Sequence, residues 1–182
     1  MLFKLQKDEE KTIPIFLETG EETKIEARLS EGADLKLLAF FFGKDSESYS
    51  LETDVYHEGP NSKSQTLVRG VLMGQSQGKV LGKVSIKKGA KGADAHLSGK
   101  ILLFDEAKVS DATPTLEIDE NDVKASHAMS VGRIDDETLF YLQSRGLGEE
   151  DAKKLIIEGF FEPLLEKVEN KDRENFQKII KL

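Results

Sequence analysis

The sequence predicts a mainly β protein that ends in a small helical segment. From about Glu22 to Val131, short runs of β-type residues alternate with Gly, Ser, Asn and Asp, and no helical period intervenes. After Ile134 the apolar residues change to helical spacing. We therefore divide the chain into a β core over residues 1–134 and a C-terminal helical segment over residues 135–182.

The β core is a series of strand-sized runs with close turns. The runs are residues 24–29, 48–53, 65–72, 83–87, 101–104, 115–118 and 122–125. Such a pattern is typical of a sandwich, a barrel or a β-solenoid. The absence of Asn-Gly and Asp-Gly hairpin loops favours the solenoid, as do small residues at the expected corners. These small residues are Gly82, Gly89, Gly92, Ala93, Ala95, Ala107 and Ala112. No single repeat length is visible, so the sandwich stays open.

The helical segment shows start and stop signals. Three acids at residues 135–137 precede a first short helix over residues 138–144, which ends at Gly146. A second helix begins at about Glu149, and Pro163 interrupts or kinks it. A last segment starts at about Asp172. One face of the second helix carries the apolar residues Ala152, Leu155, Ile156, Gly159 and Phe160.

The composition excludes several classes of function. The chain has 26 Lys+Arg against 34 Asp+Glu, a net charge of -8, and no basic cluster, so we expect no nucleic-acid partner. It has no cysteine, which excludes a thiolate nucleophile and a thiolate-held metal site within the chain, and which fits a reducing cytoplasm. The longest apolar run, residues 37–42, is too short to cross a bilayer, so we expect no membrane partner.

No motif of an enzyme is present. The glycine-rich stretch at residues 74–80 lacks the spacing and the hydroxyl of a P-loop. His57, His96 and His127 are too far apart in sequence for a local zinc motif. There is no Gly-x-Ser-x-Gly elbow, and no pair of carboxylates stands out as acid and base. We therefore expect a protein that is not an enzyme.

Two features have both a structural and a functional interpretation. His127 follows the last predicted strand and precedes the first helix; it is either a structural histidine or a metal ligand or proton carrier near an interface. The aromatic residues Phe140, Tyr141, Phe160 and Phe161 either cover the open end of the β body or form a docking face. The residues alone do not decide between these interpretations.

Four consecutive stretches resemble the C-terminal core of the SufB/SufD family, the scaffold subunits of the Suf iron-sulfur cluster assembly system. They are PTLEI at residues 114–118, DVKASH at 122–127, VGRIDDE at 131–137 and LFYLQSRGL at 139–147. The resemblance covers residues from about 55 to 162. His57, with Pro60 and Ser64, is similar to an earlier His-x-x-Pro turn of the family.

The resemblance implies a right-handed parallel β-helix with C-terminal helices. It also implies two partners: a SufC-type ABC ATPase, bound by the helices, and a SufB-like subunit or a second copy, paired through the β-helix. The chain lacks the sulfur-accepting cysteine of SufB and therefore resembles SufD. No tightly bound cofactor is expected; the alternative is a transient iron-sulfur cluster, or iron, shared with another chain.

Individual residues acquire roles from the same resemblance. His127 is the candidate ligand for iron or a cluster, and His57 is a weaker candidate. The expected ATPase-binding residues are Phe140, Tyr141, Arg145, Gly146, Leu155, Ile156 and Phe160. Ala128 replaces the glycine of the SufD pattern and Ala125 stands where a cysteine can occur, which reduces the set of ligands.

Three functions follow from this sequence. The first is a short SufD-like scaffold subunit. The second is a stand-alone β-helix dimer that acts as an iron carrier or regulator without an ATPase. The third, a solenoid enzyme acting on carbohydrate, lacks a visible carboxylate cluster or aromatic groove.

Overall fold

The computed structural model describes residues 1–180, without the side chains of Asn175, Lys178 and Ile179. The strands are β1 Leu2–Leu5, β2 Glu10–Phe16, β3 Glu22–Leu29, β4 Asp34–Gly43, β5 Ser48–His57, β6 Lys63–Leu72, β7 Gln77–Ile86, β8 Asp94–Leu103, β9 Lys108–Ile118 and β10 Lys124–Arg133. The helices are α1 Asp136–Ser144, α2 Glu149–Leu165 and α3 Asn170–Ile179. The last two residues of the predicted helical segment lie outside the described residues.

The strands form two parallel sheets in which consecutive strands alternate. The odd sheet has the order β1-β3-β5-β7-β9, and the even sheet has the order β10-β8-β6-β4-β2. Each pair of consecutive strands therefore makes one turn of a flattened β-solenoid. The expected β-helix is confirmed, and the sandwich is excluded because its strands would pair antiparallel.

The space between the two sheets is filled by rows of side chains that cross successive turns. Leu37, Thr66, Leu97 and His127 occupy equivalent positions in β4, β6, β8 and β10, and Leu37, Thr66 and Leu97 are buried. Neighbouring rows supply further buried leucine, isoleucine and valine residues. The core is thus a continuous apolar column along the solenoid.

One corner of the solenoid is fixed by a stack of residues with left-handed backbone. Asp8, Gly32, Asn61 and Gly92 have φ of 58°, 69°, 57° and 75°. The amide of each donates to a carbonyl in the next turn, as from Gly32 N to Pro60 O at 2.9 Å and from Asn61 N to Lys91 O at 2.8 Å. Asn, Asp and Gly tolerate this conformation best, which explains their recurrence at the corner.

The helices pack against the outer face of the even sheet. Ile157, Phe161 and Leu164 of α2 are buried against the cluster that contains Leu38 and Phe40 of β4. The ring of Phe176 in α3 lies 5.1 Å from that of Phe40 and 4.8 Å from that of Phe161, between ring centroids. The helices therefore cover one side of the solenoid.

The structure differs from the sequence expectations at several elements. β1 and β2 lie ahead of the strand pattern seen from about Glu22, within the β core expected over residues 1–134. Gly82, Ala95 and Ala112 lie inside strands, where a corner was expected. The helix expected from Glu149 continues through Pro163 to Leu165. No helix within the described residues is long and apolar enough to cross a membrane.

Candidate functional site

The last turn of the solenoid, formed by β9 and β10, is open to solvent. Both strands are at the edge of their sheets, so half of their backbone amides and carbonyls face outward. Three residues pack against the core but are only partly buried: Ala112 and Leu116 of β9 and Met129 of β10. Ile118 and Val131 are 45% and 42% exposed. We call β9 and β10 with these inward residues the open turn.

His127 lies within the open turn. We expected it after the last strand, and this expectation is wrong, because β10 continues to Arg133. Since side chains alternate along a strand, His127 lies on the same face as Ala125 and Met129, both packed against the core. No further turn covers this face, and the imidazole is therefore exposed. His127 thus continues the row of Leu37, Thr66 and Leu97, but at an edge where no described strand covers it.

The chain alone does not surround His127 with further ligands. Among residues 1–180 no group of three or more His, Cys, Asp or Glu side chains is arranged to hold a metal ion. A single imidazole binds iron weakly. Any iron or cluster at His127 would therefore need donors from a second chain.

His57, the weaker candidate, is buried inside the solenoid. Its Nδ1 lies 2.8 Å from the Ser62 hydroxyl oxygen and its Nε2 lies 2.8 Å from that of Ser64. The Ser62 hydroxyl in turn donates to the carbonyl of Gly59 at 2.8 Å. Burial lowers the pKa of His57 to about 4, so the ring is neutral at physiological pH. His57 is in β5, two strands from the edge of the odd sheet, and the structure does not bring it together with His127.

The expected ATPase-binding residues of α1 and α2 range from exposed to partly buried. Phe140 and Tyr141 of α1 are 71% and 56% exposed, and Leu155 of α2 is 50% exposed. Ile156 and Phe160 are partly buried at the edge of the helical cluster. No residue of α1, a helix described in full, is buried. We call these five residues the helix face.

The aromatic residues do not share one role. Phe161 is buried against the even sheet, whereas Phe140 and Tyr141 face solvent. The interpretation in which all of them cover the open end of the β body is wrong, because the helices lie on the side of the solenoid and β9 and β10 stay exposed. The adjacent rings of Phe160 and Phe161 point to different surroundings because they differ by 100° around the helix.

Arg145 and Gly146 end α1. The Arg145 guanidinium lies 5.2 Å from the centroid of the Tyr141 ring. Gly146 has φ of 96°, a conformation that ends helices and that side chains with a Cβ rarely adopt. At the other end, the Asp135 carboxylate accepts from the amide of Glu137 at 3.2 Å. Both ends of this exposed helix are therefore well defined.

The apolar part of the open turn was not among the residues expected to form a site. Its signal was the alternation of Ala112, Pro114, Leu116 and Ile118, which places four apolar residues on one face of β9. Val131 gave no separate signal, because it stands among Ser, Gly and Ala.

Comparison with known proteins assigns the family. The family model "SUF system FeS cluster assembly, SufBD core domain" matches residues 22–160, so the similarity begins earlier than the expected residue 55. An iron-sulfur cluster assembly SufBD family protein of Mycobacterium leprae is 34% identical over 160 residues, which are 82% of this chain and 41% of that protein. The iron-sulfur cluster assembly protein SufD of Bacillus subtilis is 37% identical over 132 residues, which are 72% of this chain and 30% of that protein.

The chain spans less than half the length of these two relatives. The similarity nevertheless includes the solenoid from β3 to β10, the whole of α1 and most of α2. The chain belongs to the SufBD family of SUF-system iron-sulfur cluster assembly proteins.

Proposed function

We propose that the protein is a SufD-like, non-catalytic subunit of an iron-sulfur cluster assembly scaffold in the cytoplasm. In this proposal it pairs through the open turn with a SufB-like subunit or a second copy, and it binds a SufC-type ABC ATPase through the helix face. The observation that carries the proposal is that two separate exposed apolar surfaces occur on a SufBD core.

Pairing is supported by the chemistry of the open turn. An edge strand presents unpaired amides and carbonyls that a second strand can satisfy. The inward residues Ile118 of β9 and Val131 of β10 lie at the same open end of the solenoid. A second solenoid placed there would remove their apolar surface from water. One pairing would thus extend both sheets and complete the core.

His127 would lie at the seam of such a pair. It occupies the inward row of β10, so a second open turn would place its own inward residues opposite the imidazole. Iron or a cluster is then cargo shared by two chains, with His127 as the contribution of this one. The proposal needs further donors from the partner, because the described residues form no group of three or more ligating side chains.

ATPase docking is supported by the helix face and by its connection to β10. Exposed Phe and Tyr residues that cluster on one surface are typical of protein interfaces. Two residues, Ile134 and Asp135, separate β10 from α1, and the amide of Ile134 donates to the Leu103 carbonyl at 3.1 Å. Movement of a bound ATPase would therefore act directly on the strand that carries His127.

Size-exclusion chromatography with light scattering tests both contacts. The protein is measured alone and with the SufC-type ATPase of the same source, with and without ATP. We expect a complex for the wild type and a loss of binding for the Phe140→Ala, Tyr141→Ala double variant. The matched control is Leu2→Ala, an exposed apolar residue in β1, which should bind normally. Failure of the wild type to bind in every nucleotide state would refute ATPase docking.

The exposure of His127 also supports a second candidate, a stand-alone dimer that carries iron or acts as a regulator. This function needs the open turn but not the helix face. His127→Ala would then reduce iron uptake by the purified dimer, while the Phe140→Ala, Tyr141→Ala variant would have no phenotype. Iron uptake that does not depend on His127 would refute it.

A further inference from the structure

Arg69 is a partly buried cation in an apolar setting. It lies in β6 on the outer face of the even sheet, between Phe40 of β4 and Lys100 of β8 in the strand register. Phe160 of α2 covers it, with 5.4 Å between the guanidinium carbon and the ring centroid. The neighbours on the same face of β6 are Leu67 and Val71. None of these five residues carries a carboxylate.

None of the described side chains accepts a hydrogen bond from the guanidinium. Its Nε is shielded from solvent and makes no hydrogen bond, and the described residues form no ion pair with it. Three other arginines have acceptors. Arg28 pairs with Glu26 and Glu58, and Arg173 pairs with Glu162. Arg133 donates to the carbonyls of Asp105 and Ala107.

An unpaired guanidinium at this depth destabilises the isolated chain. Burial disfavours its charged form and lowers the pKa of Arg69. A shielded donor without an acceptor also loses its hydrogen bonds to water without replacement. A Met or Leu of similar length would fill the same space between Phe40 and Phe160 without this cost.

We infer that Arg69 is a binding site for a carboxylate that a docked partner protein inserts beside Phe160. The planar fork of a guanidinium favours a carboxylate with two parallel hydrogen bonds. Lys100, the adjacent exposed cation, adds to the attraction. Arg69 and Lys100 thus form a local pair of cations on a chain whose net charge is -8, and the described residues form no ion pair with either of them.

The position of Arg69 indicates which partner supplies the carboxylate. Phe160 belongs to the helix face, so a protein that docks there comes within reach of the guanidinium beneath its ring. This inference rests on the proposed function, in which the docked partner is the ABC ATPase. It adds that an Asp or Glu side chain of that ATPase reaches Arg69.

Affinity measurements on the full chain, by calorimetry with the same ATPase, test the inference. Arg69→Met keeps the apolar stem and removes the charge; we expect affinity to fall between about tenfold and a hundredfold. Arg69→Lys should give an intermediate loss, because an ammonium does not form the paired hydrogen bonds. The matched control is Arg28→Met on the odd sheet. It also removes a guanidinium that lies over an aromatic ring, with 4.7 Å between the guanidinium carbon and the Tyr56 ring centroid. It should bind within twofold of the wild type.

The Tm of the isolated chain shows whether Arg69 serves the fold, and the binding data show whether it serves docking. We expect the Tm of Arg69→Met to be unchanged or raised, whereas a fall of more than about 3 °C would show that Arg69 serves the fold and would overturn the inference. Normal wild-type binding with Arg69→Met within twofold overturns the inference and leaves ATPase docking intact. A wild type that never binds refutes ATPase docking, and this inference with it.

Discussion

Phe41 and Gly70 show how single residues set the packing of the interior. They are paired in the register of β4 and β6, and the Phe41 ring occupies the space above Gly70. The ring is buried and stacks on Tyr49, with 5.6 Å between centroids. In the next turns Gly99 leaves similar space for Met129, but that side chain is only partly buried at the open edge.

This difference predicts unequal effects of the same substitution. A Cβ on Gly70 would overlap the rigid Phe41 ring, so we expect Gly70→Ala to lower the free energy of unfolding by about 3 kcal/mol. A Cβ on Gly99 would meet the flexible end of Met129, and Gly99→Ala should cost less than about 1 kcal/mol. Chemical denaturation of both variants checks this. Equal losses would contradict the prediction.

His57 predicts a pH dependence of stability. Its pKa is about 4 in the folded protein and about 6.5 in the unfolded chain, so protonation favours unfolding. The contribution of His57 to the free energy of unfolding is complete above pH 6.5. It falls by roughly 3 kcal/mol as the pH is lowered from 6.5 to 4.

Urea denaturation at pH 7.5 and pH 4.5 measures this loss. The free energy of unfolding should differ between pH 7.5 and pH 4.5 in part because of histidine. We expect His57→Asn to remove most of this histidine-dependent difference. The matched control is His127→Asn, which replaces an exposed histidine. It should show the same difference in unfolding free energy between the two pH values as the wild type. Parallel behaviour of wild type and His57→Asn would show that the buried ring does not titrate as described.

At the scale of elements, α2 holds the helical segment on the solenoid. Ile157, Phe161, Leu164 and Leu165 of α2, with Phe176 of α3, form one apolar cluster on Phe16 and Phe40 of the even sheet. α1, in contrast, has no buried residue along its described length. Thus α2 attaches the helical segment to the solenoid, whereas α1 exposes its side chains to solvent.

Two phenylalanine substitutions should separate these properties. Phe161→Ala removes a fully buried ring and should destabilise the protein by about 3–5 kcal/mol, seen as a lower Tm. Phe140→Ala removes an exposed ring and should change stability by less than about 0.5 kcal/mol. A large loss from Phe140→Ala would mean that α1 is packed in solution.

The elements also show what the sequence could predict. The acids and glycines around α1 and α2 define helix ends chemically, and both helices were expected nearly as they occur. β10 was expected to end at residue 125, because Ser, Ala and Gly dominate its second half and have low β propensity. That half forms a strand because it pairs with β8, a contact that is not local in sequence.

The repeat was invisible because the turns differ in length. The register partners Glu10, Asp34, Lys63, Asp94 and Lys124 lie 24, 29, 31 and 30 positions apart. Pairing aligns the strands while the corners absorb the difference, so no fixed period exists in the sequence. The resemblance to SufB/SufD therefore predicted the solenoid where spacing did not.

For the whole molecule, the open turn should control the oligomeric state. Val131→Lys places a charge on the inward face at the edge, and we expect it to convert a dimer to a monomer in light scattering. The monomer should keep its Tm within a few degrees, because Val131 is already 42% exposed. Leu2→Lys, the control on β1, should stay dimeric. A dimer for both variants would place the contact elsewhere.

The candidate site was only partly accessible to sequence reasoning at this scale. His127 and the helix face came from a resemblance that covers them continuously. Arg69 came from the structure, because a lone arginine in a strand has no sequence signature. What singles it out is the absence of an acceptor among the described residues around it, and that is a property of the folded molecule.

The two ends of the solenoid differ, and this difference has a consequence for growth. The first turn is filled by Ile13, Ile15 and Leu17, all buried, while Pro14 gives the outer edge of β2 one amide hydrogen fewer. Lys11 lies 5.8 Å from the centroid of the Phe3 ring and sets a charge beside that edge. If two copies join by their open turns around a twofold axis, each covers the same surface of the other. We expect such a pair to expose, along the β2 edge at each outer end, the charge of Lys11 and the missing amide of Pro14, both of which disfavour the addition of a further strand to that edge.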